Sequence, residues 1–235
     1  MATAEPTSTI DDYLLAIFSL ETEGEAETVI SARLARWMRV TPPTAWATVR
    51  RMERDGLVEI DRKKVIRLKP KGLKLAENIA RRHRVSERFL TDILGLGWAE
   101  AHEEAHRFEH GVSPRVEERI FAILNEPTTC PHGSPIPGTG TKLDPNLVPM
   151  DRLQRGQTAT VRYISEDLQG DLELLRYLER GKITPDQEIT IQELVPSTGV
   201  VIIEANGRSV SLGLGVAARI RVLPSPQGNK ATASS

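Results

Sequence analysis

A proline- and glycine-rich stretch near the middle of the chain restricts its folds more than any other feature. Residues 127–149 hold six prolines and three glycines among 23 positions, too many for a helix or an inner strand. Before this stretch the apolar residues recur with the period of a helix, and after it they follow the pattern of short strands. The sequence therefore predicts a mainly α protein with a tether and a C-terminal β-barrel.

The N-terminal part contains a helix-turn-helix pattern followed by a hairpin. Thr41 is a good N-cap, Pro42 occupies the first helical position, and Gly56 ends the helix. Two β-rich runs, 57–61 and 65–68, flank a basic tip and predict a wing. Further helices are expected over 10–20 after a cap at Ser8 or Thr9, from Ser31 as N-cap, over 71–94 and 98–110, from Ser113 as N-cap, and over 170–179. Strands are expected over 159–164, 187–194, 200–204, 209–212 and 218–223.

Positive charge is concentrated in the segment that holds this motif. The whole chain has a net charge of −1, yet residues 33–90 carry 17 Lys or Arg against 6 Asp or Glu, a net +11. A basic face on a neutral chain favours a polyanion such as DNA, although a solvated charge run on an ordinary helical hairpin is the alternative. A recognition helix enters the major groove by its N-terminal residues, and cationic side chains hold phosphates. The candidate DNA contacts are Thr41, Pro43, Thr44, Ala47, Arg50, Arg51, Lys63 and Lys64.

Three of the five histidines recur at one helical pitch. His102, His106 and His110 are spaced by four residues, so they lie on one face of the helix expected over 98–110. Adjacent histidines on this face are close enough to share a metal ion, whereas the outer two are not. Glu109 is near His106, which predicts a half-site of His106, Glu109 and His110. The alternative is a solvated amphipathic helix.

A second half-site is predicted from the preceding helix. His83 and Glu87 are also four residues apart and would complete a site with His102. Imidazole and carboxylate ligands together suit Mn²⁺, Fe²⁺, Co²⁺ or Zn²⁺. Cys130 and His132 offer a weaker candidate, because one cysteine in a loop is more often structural.

Several classes of protein are excluded or disfavoured. The single cysteine allows no intramolecular disulfide, which fits a reducing, cytoplasmic location. No apolar run approaches the length of a transmembrane helix, and the first nine residues lack the pattern of a signal peptide. Aromatic residues make up only 4% of the chain, so stacking on single-stranded nucleic acid is not expected. We find neither a nucleophile triad nor a phosphate-binding glycine motif, and we expect no membrane and no small-molecule substrate.

At this point the sequence resembles the diphtheria toxin repressor family of metal-dependent transcriptional repressors. The resemblance covers about residues 8–223. It implies a winged helix-turn-helix domain, a helical dimerisation and metal domain, a proline-rich tether and an SH3-like barrel. The expected boundaries are 1–72, 73–126, 127–152 and 153–223, with a disordered tail over 224–235. The matching stretches are MERDGLV at 52–58, RHRVSERFLTDILGL at 82–96, HEEAHRFEH at 102–110 and PIPG at 135–138.

The resemblance also implies two metal sites. Asp12 of the first helix would join His106, Glu109 and His110 in a primary site. Glu166 and Gln169 of the barrel would join the ancillary site, which would otherwise use His83, Glu87 and His102. Iron-responsive members carry Met and Cys in place of Asp12 and His106. Manganese-responsive members carry Asp and Glu there, with a further acid where this chain has Leu15, so the primary site matches neither type.

The sequence therefore predicts a homodimeric repressor of metal-uptake genes that binds double-stranded operator DNA when loaded with Mn²⁺ or Fe²⁺. Zn²⁺ and Co²⁺ are expected to bind in vitro. Two alternatives are a metalloenzyme that uses the His/Glu cluster, and a metal-independent DNA-binding regulator whose histidines are structural. The basic segment argues against an enzyme, so none is expected.

Overall fold

The computed structural model describes residues 10–22 and 28–226 of the 235-residue chain. Its helical part precedes its main sheet, as the sequence predicts. The helices are α1 (Ile10–Thr22), α2 (Ser31–Trp37), α3 (Pro42–Arg54), α4 (Pro70–Arg88), α5 (Trp98–Phe108), α6 (Pro114–Ile123), α7 (Glu166–Gln169), α8 (Leu172–Arg180) and α9 (Leu214–Ala217). The strands are β1 (Val58–Ile60), β2 (Ile66–Leu68), β3 (Val148–Pro149), β4 (Thr158–Ile164), β5 (Glu188–Val195), β6 (Val200–Ala205), β7 (Arg208–Gly213) and β8 (Ile220–Pro224).

The helix-turn-helix and its wing are present. The side chain of Thr41 caps α3 by accepting the N–H of Thr44, and Gly56 follows the helix with φ +72°. Strands β1 and β2 form an antiparallel hairpin in which Val58 pairs with Leu68. The expected winged motif is therefore confirmed.

Some predicted helix caps are placed differently. Ile30, not Ser31, is the N-cap of α2, because the Ile30 carbonyl already accepts the N–H of Leu34 at 3.1 Å and no side-chain cap bond forms. Asp171, with its side chain accepting the N–H of Leu174, starts α8. The predicted caps at Ser8 and Thr9 lie outside the described residues.

The N-terminal hydrophobic core joins α1 to the winged motif. Ala45, Val49 and Met52 of α3 are fully buried against α1, α2 and the wing. Their spacing fixes the rotation of α3, so the opposite face of this helix points outward. The same core includes Ala76 and Ile79 of α4, which ties this long helix to α1 and the winged motif.

The C-terminal part is an antiparallel six-stranded sheet in the order β3-β8-β4-β5-β6-β7. Within the described residues its edge strands β3 and β7 do not pair, so the SH3-like sheet is not closed by hydrogen bonds. Its core includes Trp98 and Ala99 from the start of α5. The carboxylate of Glu179 on α8 accepts the N–H of Trp98 at 3.2 Å, which is a favourable position for a negative charge at a helix N-terminus. The start of α5 is thus anchored on the C-terminal domain.

The tether does not behave as a free linker in its first half. Cys130, His132, Ser134 and Ile136 are all buried. Gly133 packs so closely on β4 that a Cβ there would lie 2.1 Å from a strand carbonyl, and its φ is +92°. Only glycine fits this position without displacing the backbone. Strand β8 ends at Pro224, and the rest of the predicted tail, 227–235, lies outside the described residues. None of the described helices is both long and apolar enough to cross a membrane.

Candidate metal centre

Helices α4 and α5 pack together and bring their histidines into one buried cluster. Ligand nitrogens of His83, His102 and His106 lie within 4.8 Å of one another. His83 is 3% exposed, whereas the side chain of His106 is 42% exposed, so the cluster reaches from the interior to the surface. The two half-sites expected from the sequence therefore adjoin each other.

Glu87 is the centre of this network. Its Oε1 accepts hydrogen bonds from His102 Nδ1 at 2.8 Å and from His83 Nε2 at 3.2 Å. Its Oε2 lies 3.4 Å from His132 Nδ1. A fully buried carboxylate is thus surrounded by three imidazole rings, which offsets the cost of its burial.

Glu109 extends the network from the end of α5. His83 Nδ1 donates to its Oε2 at 2.6 Å. The other oxygen of Glu109 lies 3.8 Å from His106 Nδ1 and 3.7 Å from His110 Nε2. Glu109 is buried and His110 is half exposed, so this carboxylate connects the surface histidines to the buried ones.

The network determines the charge state of its two carboxyl groups. Burial would raise the pKa of Glu87, but His132 and His83 hold it well below its usual range. Burial would also raise the pKa of Glu109, but His83 lowers this pKa to about 2. Both carboxyl groups are therefore ionised at neutral pH.

The imidazoles divide into charged and neutral ones. Burial lowers the pKa of His102 to about 4. Burial would also lower the pKa of His83 and His132, but Glu87 raises the first well above its usual range and the second to about 10. Two imidazolium ions therefore face two carboxylates, and the buried charges balance.

The tether supplies a second group of candidate metal ligands, which the sequence alone supports only weakly. Ligand atoms of Glu87, Cys130 and His132 lie within 4.8 Å of one another, and all three residues are fully buried. His132 packs against Trp98 with 4.6 Å between ring centroids. Cys130 and His132 are 43 and 45 residues beyond Glu87 in the chain, so only the packed tether brings them there. In the sequence, the only indication of a metal site here is that a single residue separates Cys130 from His132.

The C-terminal domain contributes Glu166 to the neighbourhood but directs it elsewhere. Its Oε1 accepts hydrogen bonds from Arg84 Nη2 at 2.5 Å and Nε at 2.8 Å, and its Oε2 accepts one from Ser19 of α1. Gln169 is buried and donates its amide N–H to the Ile164 carbonyl at 3.0 Å. Both side chains thus have protein partners, and Glu166 joins α1, α4 and the C-terminal domain.

Asp12 lies on α1, which packs against α4. It is half-buried and takes part in an interaction within the chain. It belongs to the helix that also forms the core beneath the winged motif. Any ligand shared by Asp12 and α5 would therefore connect the DNA-binding region to the metal region.

The predicted DNA contacts are on the outer surface. Thr41, Pro43, Thr44 and Ala47 are exposed at the start of α3. Exposure of the Arg50 and Arg51 side chains is 51% and 66%. Lys63 and Lys64 are exposed at the tip of the wing. All eight side chains are accessible to a duplex.

The donor set fits a divalent cation. Buried His132 Nε2 and Glu87 Oε2 have no hydrogen-bond partner among the described residues. The surrounding groups are imidazoles, carboxylates and one thiol, which ligate first-row divalent metals. Replacing two protons by one divalent cation would also preserve the local charge.

Sequence profiles of three families match this chain in order. Residues 5–66 match "Iron dependent repressor, N-terminal DNA binding domain", residues 69–138 match "Iron dependent repressor, metal binding and dimerisation domain", and residues 148–224 match the FeoA domain. The iron-dependent repressor IdeR of Mycobacterium tuberculosis is 38% identical, over 93% of this chain and 98% of the relative. The diphtheria toxin repressor of Corynebacterium glutamicum is 36% identical, over 91% and 95%.

A solved structure resembles most of the chain. It is a manganese-dependent transcriptional repressor in complex with manganese, with a TM-score of 0.79 and 32% sequence identity. The match covers 92% of this chain and 100% of the other. The expected resemblance and fold class are thus confirmed.

Proposed function

Because this chain belongs to the iron-dependent repressor family, whose members are metal-dependent transcriptional repressors, we propose that it represses metal-uptake genes as a homodimer on operator DNA. The buried His/Glu cluster beside α1 is the observation that supports this most strongly. It offers a divalent cation matched charges and several donors. Helix α4, which carries His83 and Glu87, packs against α1, and α1 shares its core with the winged motif.

The proposed ligands are those that the sequence and the resemblance predict. The primary site would use Asp12, His106, Glu109 and His110. The ancillary site would use His83, Glu87 and His102, with Glu166 and Gln169 as ligands from the C-terminal domain. Since Glu166 is bonded to Arg84 and Ser19, its role as a ligand would require it to leave these partners. Cys130 and His132 are further donors to Glu87's site, supported by their burial and proximity.

Mn²⁺ or Fe²⁺ is the proposed effector. The primary set contains only carboxylates and imidazoles, without sulfur, which favours Mn²⁺ with Fe²⁺ next. Among relatives, one is named as iron-dependent and a solved one as manganese-dependent. Zn²⁺ and Co²⁺ are expected to bind in vitro, because affinity rises along the first row.

The residues of this chain explain how such a site would affect DNA binding. A bound cation supplies a common partner for carboxylates that now pair with protonated histidines. Asp12 would then hold α1 against α5, and α1 shares its core with α3. This would favour the orientation in which the recognition helices of a dimer fit successive major grooves, about 34 Å apart.

The proposed dimer interface is the region from Trp98 to Asn125. Val116 and Ile123 of α6 are 47% and 61% exposed, which leaves apolar surface for a second copy. We further propose the domain boundaries 1–72, 73–126, 127–152 and 153–223, a cytoplasmic location, and no enzymatic activity.

Substitution of Asp12 tests the proposed link between metal and DNA. In Asp12→Ala we expect the fold to persist and Mn²⁺-dependent operator binding to be lost, since Asp12 is the only proposed ligand on the DNA-binding side. Gel shift or fluorescence anisotropy with and without chelator measures this. Asp11→Ala, which removes the neighbouring carboxylate, serves as the matched control and should respond to Mn²⁺ like the wild type. An Asp12→Ala protein that still binds operator only with metal would refute the link.

A further inference from the structure

The recognition helix α3 carries one aromatic side chain, Trp46, that is not among the predicted DNA contacts. Trp46 is the fifth residue of α3, next to Ala47 and two residues after Thr44. It therefore lies in the N-terminal part of the helix, which contacts base edges in helix-turn-helix proteins.

Trp46 is not a member of the protein core. Ala45, Val49 and Met52 form the buried stripe of α3, and Trp46 is rotated about 100° from Ala45 around the helix axis. Within the described residues it belongs neither to the N-terminal core nor to the half-buried side chains packed on it, unlike Trp37. Its indole is only half-buried. Burial in the protein therefore does not account for this large apolar side chain.

The indole of Trp46 contacts a neighbouring cationic side chain. The guanidinium of Arg50, one turn further along, lies 5.9 Å from the centre of the Trp46 ring. Arg50 also pairs with Glu53, which holds it on the same flank of the helix. This arrangement restrains the half-buried indole on the flank of the helix between buried Ala45 and exposed Ala47.

We propose that Trp46 reads a thymine in each operator half-site by apolar contact with its C5-methyl group. This inference rests on the proposed DNA-binding function. The thymine methyl is the one apolar group that base edges offer in the major groove, and the half-buried indole of Trp46 is the largest apolar side chain of this helix. The DNA would bury the ring face that the protein leaves open.

The test uses DNA selected by the protein itself. A duplex library with a randomised centre is selected by the Mn²⁺-loaded wild type, and each thymine of the selected site is then replaced singly by deoxyuridine, which lacks the methyl group. We expect one position per half-site at which the replacement weakens wild-type binding by about fourfold, as for one buried methyl. Trp46→Ala should bind the unmodified site about tenfold more weakly and show no further loss at that position.

Two further variants sharpen the result. Trp46→Phe keeps an apolar ring and should retain part of the sensitivity to deoxyuridine. Thr48→Ala alters the other flank of the same helix and should behave as the wild type does. Circular dichroism of each variant checks that the helix is intact.

Other outcomes would overturn the proposal. If Trp46→Ala keeps the full deoxyuridine sensitivity at every position, the indole reads no methyl group. If it weakens all duplexes alike and reduces the salt dependence, Trp46 only positions Arg50 on a phosphate. If the wild type selects no sequence at all, the proposed function fails together with this inference.

Discussion

The proposed DNA-binding surface and the proposed metal centre both depend on charged side chains, but these side chains lie in opposite environments. Arg51 of α3 and Asp55, the residue that follows this helix, are 3.9 Å apart, with side chains 66% and 48% exposed. Glu87 and His83 are 3.2 Å apart with side chains that are 1% and 3% exposed. Water and salt screen the first pair, so it contributes little to stability, whereas the second pair determines which groups carry protons.

The difference in burial suits the two groups of side chains to different roles, phosphate contact and metal binding. Exposed cations such as Arg50 and Arg51 remain available for phosphates, because water and salt screen their pairs with Glu53 and Asp55. The buried cluster cannot accept a cation without giving up protons, since its carboxylates are already paired with imidazolium ions. Metal loading should therefore depend steeply on pH, and phosphate contacts should depend mainly on salt.

The largest expected effect concerns Glu87. Glu87→Gln removes the carboxylate that contacts His83, His102 and His132, and should lower Mn²⁺ affinity by about a hundredfold or more. Isothermal titration calorimetry measures the affinity. Glu103→Gln, an exposed carboxylate of α5, is the matched control and should change it by less than about twofold. Equal affinities in the two variants would place the metal elsewhere.

Local features of the winged motif and the histidine face are accessible from the sequence. Thr41, Pro42 and Gly56 define α3 through rules that involve only neighbouring residues. The spacing of His102 and His106 is likewise a property of one helix. These local signals do not depend on the tertiary structure. The sequence therefore predicts both the winged motif and the helix that carries the histidines.

The remainder of the metal centre depends on contacts between distant segments. His132 reaches Glu87 only because the tether packs on β4 through Gly133. Glu166 contacts Arg84 and Ser19, 82 and 147 residues away, although the resemblance implies a metal ligand. No period or spacing encodes these pairings. They arise from how the C-terminal domain docks on α1 and α4.

A second prediction concerns this docking. Burial would raise the pKa of Glu166, but Arg84 lowers it, so Glu166→Gln leaves the Arg84 guanidinium buried without its counter-ion. In metal-free protein this should reduce the free energy of unfolding by about 3 kcal/mol. Thermal or urea unfolding measures it. Asp186→Asn breaks the exposed pair with Arg162 and should cost less than about 1 kcal/mol. Equal costs would mean that the buried pair does not hold the domains together.

The smallest expected effect is on the exposed region. Lys63→Gln with Lys64→Gln removes two charges from the wing tip, which should weaken binding to all duplexes alike. The slope of log affinity against log salt concentration should fall by about two, one for each lost phosphate contact. Binding titrations at several salt concentrations measure the slope, and Lys142→Gln on the tether is the control. An unchanged slope would remove the wing from the DNA interface.

Proton release on metal binding tests the buried centre most directly. Burial would lower the pKa of His83 and of His132, but Glu87 raises that of His83 well above its usual range and that of His132 to about 10. Both are therefore charged at pH 7 and must lose their protons to act as ligands. The apparent Mn²⁺ affinity should rise between pH 6 and pH 8. Protons compete with the metal for the imidazole nitrogens, and the concentration of free protons falls as the pH rises.

Calorimetry of Mn²⁺ binding at pH 7, in buffers with different enthalpies of ionisation, counts these protons. We predict the release of about two protons per chain as the buried cluster is loaded. The same experiment on Glu87→Gln should release fewer protons, because Glu87 raises the pKa of both histidines, whereas Glu109 still pairs with His83. Wild-type binding without proton release, with an affinity that stays constant from pH 6 to 8, would contradict the assignment of the buried His/Glu cluster as the metal centre.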